Sequence, residues 1–122
     1  MLEKQKISVL MSVYVKENPT FLIDAINSIQ NQTLKPSELV LVEDGPLTPE
    51  LYQVLDQLEA ESDIPVKRYP LEQNQGLGLA LRQGVLQCQY DIIARMDTDD
   101  IAVPDRFEKQ VQLMERDNLD LL

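Results

Sequence analysis

Apolar and polar positions along this chain alternate between two rhythms. Short runs rich in apolar residues at Ile7–Val15, Leu39–Val42, Val66–Tyr69 and Asp91–Met96 have the length and β-branched content of strands. Between and after them the apolar residues recur at helical spacing. The sets are Phe21, Leu22, Ala25, Ile26 and Ile29; Leu51, Val54, Leu55 and Leu58; Leu79, Ala80, Leu81 and Val85; and Phe107, Val111 and Met114. Asn18-Pro19 and Thr48-Pro49 each pair an N-cap side chain with proline at the first helical position, and Pro104 is expected to open the last helix. The order β-α-β-α-β-α-β-α predicts a parallel, doubly wound α/β sheet with helices on both faces. No repeat, low-complexity segment or linker divides it, so residues 1–122 read as one domain.

In such a sheet, ligands sit outside the carboxyl ends of the strands. The polar exits there are Tyr14 to Glu17, Glu43-Asp44-Gly45 and Asp97 to Asp100, all directly after predicted strands, and the Asn74 to Gly78 loop joins them. The most telling is Asp97-Thr98-Asp99-Asp100. Three carboxylates in four residues repel one another, by roughly 1 kcal/mol per pair at ~4 Å in water and about 4 at an effective dielectric of ~20. A divalent cation is the natural compensating partner. Residues i and i+2 of extended chain point to one side, so one acid could hold the metal while another reaches a ligand hydroxyl. A solvated acidic loop that favours the last helix's N-terminus is the plainer alternative.

The other exits also admit two readings each. Asp44 could accept hydrogen bonds from a base or ribose, or could serve an Asp-Gly-Pro turn. Asn74-x-Gly76-x-Gly78 could bring backbone amides to a phosphate at a helix start, or be a glycine turn. It is not the full dinucleotide fingerprint, and no Gly-Lys-Ser/Thr follows it. Tyr14 could stack on a base or pack at a strand end. Arg82 and Arg95 could balance acids or serve the surface, and Cys88 reads as a small apolar residue near a helix end.

Charge and composition narrow the chemistry. The 11 basic and 21 acidic residues give a formal net charge of −10, which argues against nucleic acid as a partner. The chain has no histidine and one cysteine, which excludes a histidine base, a Ser-His-Asp triad and a thiolate-rich zinc site within it. Oxygen ligands remain, and these suit Mg²⁺ or Mn²⁺. No apolar run approaches the ~20 residues of a transmembrane helix, and the N-terminus lacks signal-peptide character. A reducing, cytoplasmic setting is expected, including a peripheral position at the inner face of a membrane.

Taken together, four segments carry a family resemblance. They are Ile7 to Tyr14, Glu38 to Gly45, Asn74 to Leu81 with Gly84, and Ile93 to Ile101 with Pro104 to Phe107. In this order they resemble the nucleotide-sugar-binding half of a family 2 glycosyltransferase with the Rossmann-like GT-A fold. The Ala-Arg-Met-Asp-x-Asp-Asp version resembles bacterial capsule and exopolysaccharide transferases.

The resemblance implies a nucleotide-diphosphate sugar as donor, most often a UDP-sugar, and a glycan or lipid-linked acceptor. It implies that Ser12, Tyr14, Glu17 and Asp44 line the nucleotide pocket, with Asn74 and Gly76 beside them. It implies Asp97 at the ribose or sugar, and Asp99 with Asp100 on Mn²⁺ or Mg²⁺, the Asp-x-Asp motif of such enzymes. Ser12 stands where the family usually has Pro, and Glu43 replaces the first Asp of a usual pair. Inverting members place the catalytic base downstream of the acidic motif, so the base is expected beyond Leu122. The chain therefore reads as a truncated donor-binding part, weak or inactive in transfer by itself.

Other classes fit less well. A sugar-nucleotide nucleotidyltransferase would carry glycine in the first-strand loop, and Ser12 to Glu17 has none. Glycosidase acids flank a bond at about 5–9.5 Å, which two acids of one loop cannot easily do. A receiver-type domain needs acids where Tyr14-Val15 and Tyr69-Pro70 stand. A non-catalytic nucleotide-binding domain predicts the same ligand with no turnover.

Overall fold

A computed structural model of the chain describes residues 6–99 and 101–117, the last four as backbone only. It contains β1 (Ile7–Val13), α1 (Pro19–Gln30), β2 (Glu38–Glu43), α2 (Pro49–Glu61), β3 (Val66–Pro70), α3 (Leu77–Gln87), β4 (Ile92–Arg95) and α4 (Arg106–Asp117). The strands form one sheet in the order β3-β2-β1-β4, and all three pairings are parallel. β1 and β2 are buried throughout, as their near-continuous apolar runs require of strands covered on both faces.

The period-two alternation of the strands sorts residues between the faces. Val9, Met11, Val13, Leu39, Leu41, Ala94 and Met96 share one core with Leu22, Ala25, Ile26 and Ile29 of α1, Leu51, Leu55 and Leu58 of α2, and Phe107 and Val111 of α4. Leu10, Val40 and Val42 meet Ala80 of α3 on the other face. The expected helical N-caps form. Asn18 Oδ1 accepts from the amides of Thr20 (2.8 Å) and Phe21 (3.1 Å), and Thr48 Oγ1 accepts from Leu51 N at 3.2 Å.

Several expected details differ. β1 ends at Val13 because Glu17 N donates to Tyr14 O at 3.1 Å, which turns the chain out of the sheet. Phe21 is 54% exposed, since it lies a full helical step off the stripe that Leu22 begins. α3 starts at Leu77, with Gly76 as its N-cap position. It buries Ala80 and Gly84 rather than Leu79 and Val85. A Cβ at Gly84 would lie 2.3 Å from Leu10 Cδ1 and 2.9 Å from Val42 Cγ2, so the helix approaches the sheet through its two smallest residues and carries the larger ones on its flanks. α4 starts at Arg106 rather than Pro104, because Pro104 O accepts from Thr33 N at 2.7 Å and is held against the end of α1. The side chain of Met114 lies outside the described residues.

At the amino end of the sheet, Glu38 is buried at 1% exposure. Its Oε2 accepts from Ser8 Oγ and Gln89 N, both at 2.6 Å. Lys67 Nζ lies 2.9 Å from Oε1 as an ion pair, off the angle of a proper hydrogen bond. Burial pushes the Glu38 pKa up, but the donors and the Lys67 charge outweigh it and leave it below the usual carboxylate value. Nearby Cys88, half-buried at the C-cap of α3, has its thiol pushed up to about 11 by burial and then by the Glu38 charge. A thiol so raised is unreactive at neutral pH.

Candidate functional site at the carboxyl edge of the sheet

The chain runs β1, β2, β3 in one direction and then crosses to the far side of β1 for β4. The reversal opens a crevice at the carboxyl ends of β1 and β4, where such sheets bind ligands. β1 holds the loops on both sides of this edge. Val13 O accepts from Asp44 N at 2.8 Å, and Leu10 O accepts from Met96 N at 2.9 Å.

On the β2 side, the Asp44 side chain shares the α3 face with Val40 and Val42. It is 3% exposed. Its carboxylate accepts from Gln75 N at 2.7 Å and Gly76 N at 3.1 Å, while Asn74 Nδ2 donates to Asp44 O at 3.3 Å. Two amides that could face a phosphate thus already hold a carboxylate, and charge-assisted bonds of this kind are about twice as strong as neutral ones. Asp44, Asn74 and Gly76 therefore form one unit. Gly45 closes it: at φ +88 its Cα lies against the 73–74 backbone, and a Cβ would meet Asn74 N at 2.6 Å. Glu43 points to the opposite face, where Arg68 Nε donates to it at 2.7 Å and Arg68 Nη1 reaches Asp56 at 2.6 Å.

On the β4 side, the acidic run leaves the sheet beside the exit of β1. Thr98 is 4% exposed, and its Oγ1 donates to Glu17 Oε2. The loops after β1 and β4 are thereby tied to each other. Asp97 accepts from Arg95 Nε (3.3 Å) and Nη2 (3.1 Å), a half-exposed pair worth at most about 1 kcal/mol. Asp99 lines a pocket of about 170 Å³ with Phe21, Asp24 and Ile101. Ser12 is nearly buried on β1, and Tyr14 is 39% exposed just beyond it. Asp100 lies outside the described residues. A larger groove, about 340 Å³ between α1 and α2, lies away from these acids and strand ends.

Among the described residues no three acidic, cysteine or histidine side chains converge as a ready-made metal cage. Hard oxygen donors in ones and twos are nevertheless what Mg²⁺-type sites use when a ligand's phosphates complete the shell. Asp24 and Asp99, the carboxylates that line this pocket, are of the hard-donor type that such a shared cation would take.

Sequence reasoning missed Thr98, which it treated as a spacer between acids. Its burial at the mouth of a strand could have been anticipated from the period-two pattern, but its partner, 81 residues away, could not.

Comparison with known proteins gives this edge a context. Residues 8–122 match the family model described as glycosyl transferase family 2. The chain is 53% identical over 111 residues, 91% of its length and 41% of the relative's, to an uncharacterized glycosyltransferase of Haemophilus influenzae. It is 46% identical to the amylovoran biosynthesis glycosyltransferase AmsE of Erwinia amylovora, over 88% of this chain and 40% of that one. It is 44% identical to the Escherichia coli UDP-Gal:alpha-D-GlcNAc-diphosphoundecaprenol beta-1,3-galactosyltransferase, over 84% and 37%. The chain thus spans about two fifths of the length of these relatives.

Among solved structures, S. aureus TarS in complex with UDP-GlcNAc superposes with a TM-score of 0.78 at 22% identity, over 92% of this chain and 32% of that one. The Pyrobaculum calidifontis mannosyltransferase PcManGT in complex with GDP-Man and Mn²⁺ gives 0.78 at 17%, over 92% and 33%. At such identities the likeness is one of fold, and the fold is the expected GT-A arrangement. With the family model matched across the four motif-bearing segments, the chain belongs to glycosyl transferase family 2.

Proposed function

We propose that this chain is the donor-binding part of a glycosyltransferase that takes a nucleotide-diphosphate sugar at the carboxyl edge of its sheet, with a divalent cation, for polysaccharide or glycoconjugate synthesis. The observation that carries the reading is the tie between Glu17 and Thr98, which joins the first-strand exit to the acidic run at the point where the strand order reverses. Support comes from the family match and from relatives named for amylovoran synthesis and for galactosyl transfer to a diphosphoundecaprenol acceptor.

In this reading Ser12, Tyr14 and the Asp44–Asn74–Gly76 unit form the nucleotide side of the crevice. Glu17 orients the acidic loop through Thr98, and Asp97 accepts from a ribose or sugar hydroxyl. Asp99, with Asp100 beside it, would hold Mn²⁺ or Mg²⁺. A cation held there would supply Lewis-acid stabilisation of the charge growing on the leaving diphosphate. UDP is the first nucleotide to test. A peripheral position at a cytoplasmic membrane face would suit a lipid-linked acceptor. The described residues contain no helix long and apolar enough to cross a membrane.

The test is calorimetry of UDP binding with and without Mn²⁺, on the unaltered protein and on Asp99→Asn. Metal-dependent affinity is expected to fall by at least about tenfold in the variant, about 1.4 kcal/mol. Equal affinity in both proteins, or binding in neither, counts against the assignment. Binding without transfer by the complete protein would favour a non-catalytic nucleotide-binding role.

A further inference from the structure

The segment that follows the acidic run is fastened to the end of α1, and one buried side chain makes two of the fastenings. Gln32 lies two residues beyond α1 and is 3% exposed. Its Nε2 donates to Val103 O at 2.6 Å and to Ser28 O at 3.1 Å, and its Oε1 accepts from Phe107 N at 3.0 Å. Phe107 is the second residue of α4, so its amide is among those a helix cannot pair internally. A carboxamide 75 residues away in sequence caps it. Beside this bond, Ser28 Oγ accepts from Ala102 N at 3.0 Å, and Thr33 N donates to Pro104 O at 2.7 Å.

The acidic loop is therefore held at both ends. Met96 is bonded to β1 and Thr98 to Glu17 on one side. Ala102 and Val103 are bonded to Ser28 and Gln32 on the other. Asp99 lies in the short span between the two anchors, and its pocket includes Ile101 from that same span. Buried polar bonds of this sort specify geometry strongly because leaving them unmade is costly.

We infer that Gln32 is a positioning residue for the carboxylate of Asp99, because it holds Val103 and Phe107, just beyond the acidic loop, against the end of α1. The inference rests on the reading of Asp99 as a metal ligand. Without the Gln32 anchor the span would have to be ordered when the ligand binds, and that cost would appear in cation affinity. Binding of the nucleotide without metal, which does not use Asp99, would be spared.

The experiment compares the protein with Gln32→Met, which keeps the side-chain length and removes the hydrogen bonds. Leu55→Ala is the control, destabilising the core in α2 away from the loop. Mn²⁺ affinity is read by electron paramagnetic resonance in the presence of UDP, and amide exchange is read at Ala102 and Phe107. In Gln32→Met, Mn²⁺ affinity is expected to fall about 5- to 30-fold, the equivalent of ordering one backbone residue, with metal-free UDP affinity unchanged. Exchange at the two amides should speed by about tenfold or more as the segment opens locally. Leu55→Ala should leave Mn²⁺ affinity within about twofold.

Unchanged Mn²⁺ affinity in Gln32→Met overturns the inference, as does an equal loss in both variants. Absence of Mn²⁺ binding by the unaltered protein overturns the metal reading and this inference with it. Unchanged exchange at Ala102 and Phe107 overturns the inference alone. If Gln32→Met does not fold, Ser28→Ala, which removes the Ala102 tie and the local bond from Ser28 Oγ to Ala25 O within α1, takes its place with the same readouts.

Discussion

Gly45→Ala is expected to lower the stability of the protein by about 2–5 kcal/mol, a large share of the roughly 5–15 typical of a domain. Two costs add. An L-residue at φ +88 loses roughly 1–2 kcal/mol to the steric clash of its own Cβ. The new methyl group would also lie 2.6 Å from Asn74 N and 3.0 Å from Asn74 Cα and Gln73 C. These are backbone atoms, which cannot swing aside as a side chain would, and overpacking of this kind costs about 1–3 kcal/mol. Relief would mean moving the 73–76 loop and with it the amides that hold Asp44. Urea unfolding supplies the measurement, and Gly78→Ala is the contrast. That site has open space around it, no positive φ and a helical position, so alanine there should be neutral or stabilising by up to about 1 kcal/mol. A Gly45→Ala protein within about 1 kcal/mol of the unaltered one would show that the loop yields more easily than its contacts imply.

Glu38→Ala is expected to cost a comparable amount, about 2–6 kcal/mol at roughly 1–3 for each of two stranded donors, although the residue lies at the opposite end of the sheet from the acidic run. The change strands the Ser8 hydroxyl and the Gln89 amide without their acceptor in a buried place and removes the Lys67 counter-charge. Glu38→Gln keeps an acceptor and should cost less. The same carboxylate sets a pH signature. Its folded pKa lies below the ordinary value of 4.5, so its contribution is complete above that value. The contribution is lost as pH falls through the folded pKa. Lys67 is raised by the same pair, so its much smaller, solvent-screened share is present below 10.5 and disappears only at higher pH. Unfolding free energies of the protein and of Glu38→Gln, measured from pH 7 to pH 3, should converge toward the acid end. Parallel curves would rule out Glu38 as a principal acid-labile carboxylate.

Much of this architecture was legible in the chain. Eight elements in alternating order followed from two periodicities and two cap-plus-proline signatures, because each is local and has a local cause. Strand exits could be located for the same reason, and with them Asp44, Asp97 and Asp99. The order β3-β2-β1-β4 was not legible, since periodicity says that a strand is buried and not which strand lies beside it. Helix faces were misjudged where close approach overrode size, as at Gly84 against Leu10. The boundary of α4 was misplaced because Thr33 claims the Pro104 carbonyl from 71 residues away. Gln32, Thr98 and Glu38 share one reason for having been overlooked. Each is an ordinary polar residue whose partners are distant in sequence, and no local pattern marks a side chain that will be buried by long-range bonding.

The pairing of β1 with β4 has a consequence for how the protein comes to be competent. Ile7 lies opposite Ile92, so this ladder closes a loop of about 85 residues, while the β1–β2 ladder, which sets Ser8 opposite Glu38, closes one of about 30. Contacts of high sequence separation carry the larger closure entropy and slow folding. The acidic run is suspended from that last ladder, and its other fastenings, to Glu17 and to the end of α1, span comparable distances. The acidic side of the crevice thus depends on the contacts of highest sequence separation and is expected to form late in folding, after the nucleotide side at Asp44, whose bonds to Gln75 and Gly76 close shorter loops. Slow refolding should restore the helical signal first and cation-dependent nucleotide binding only when the fourth strand has joined the sheet.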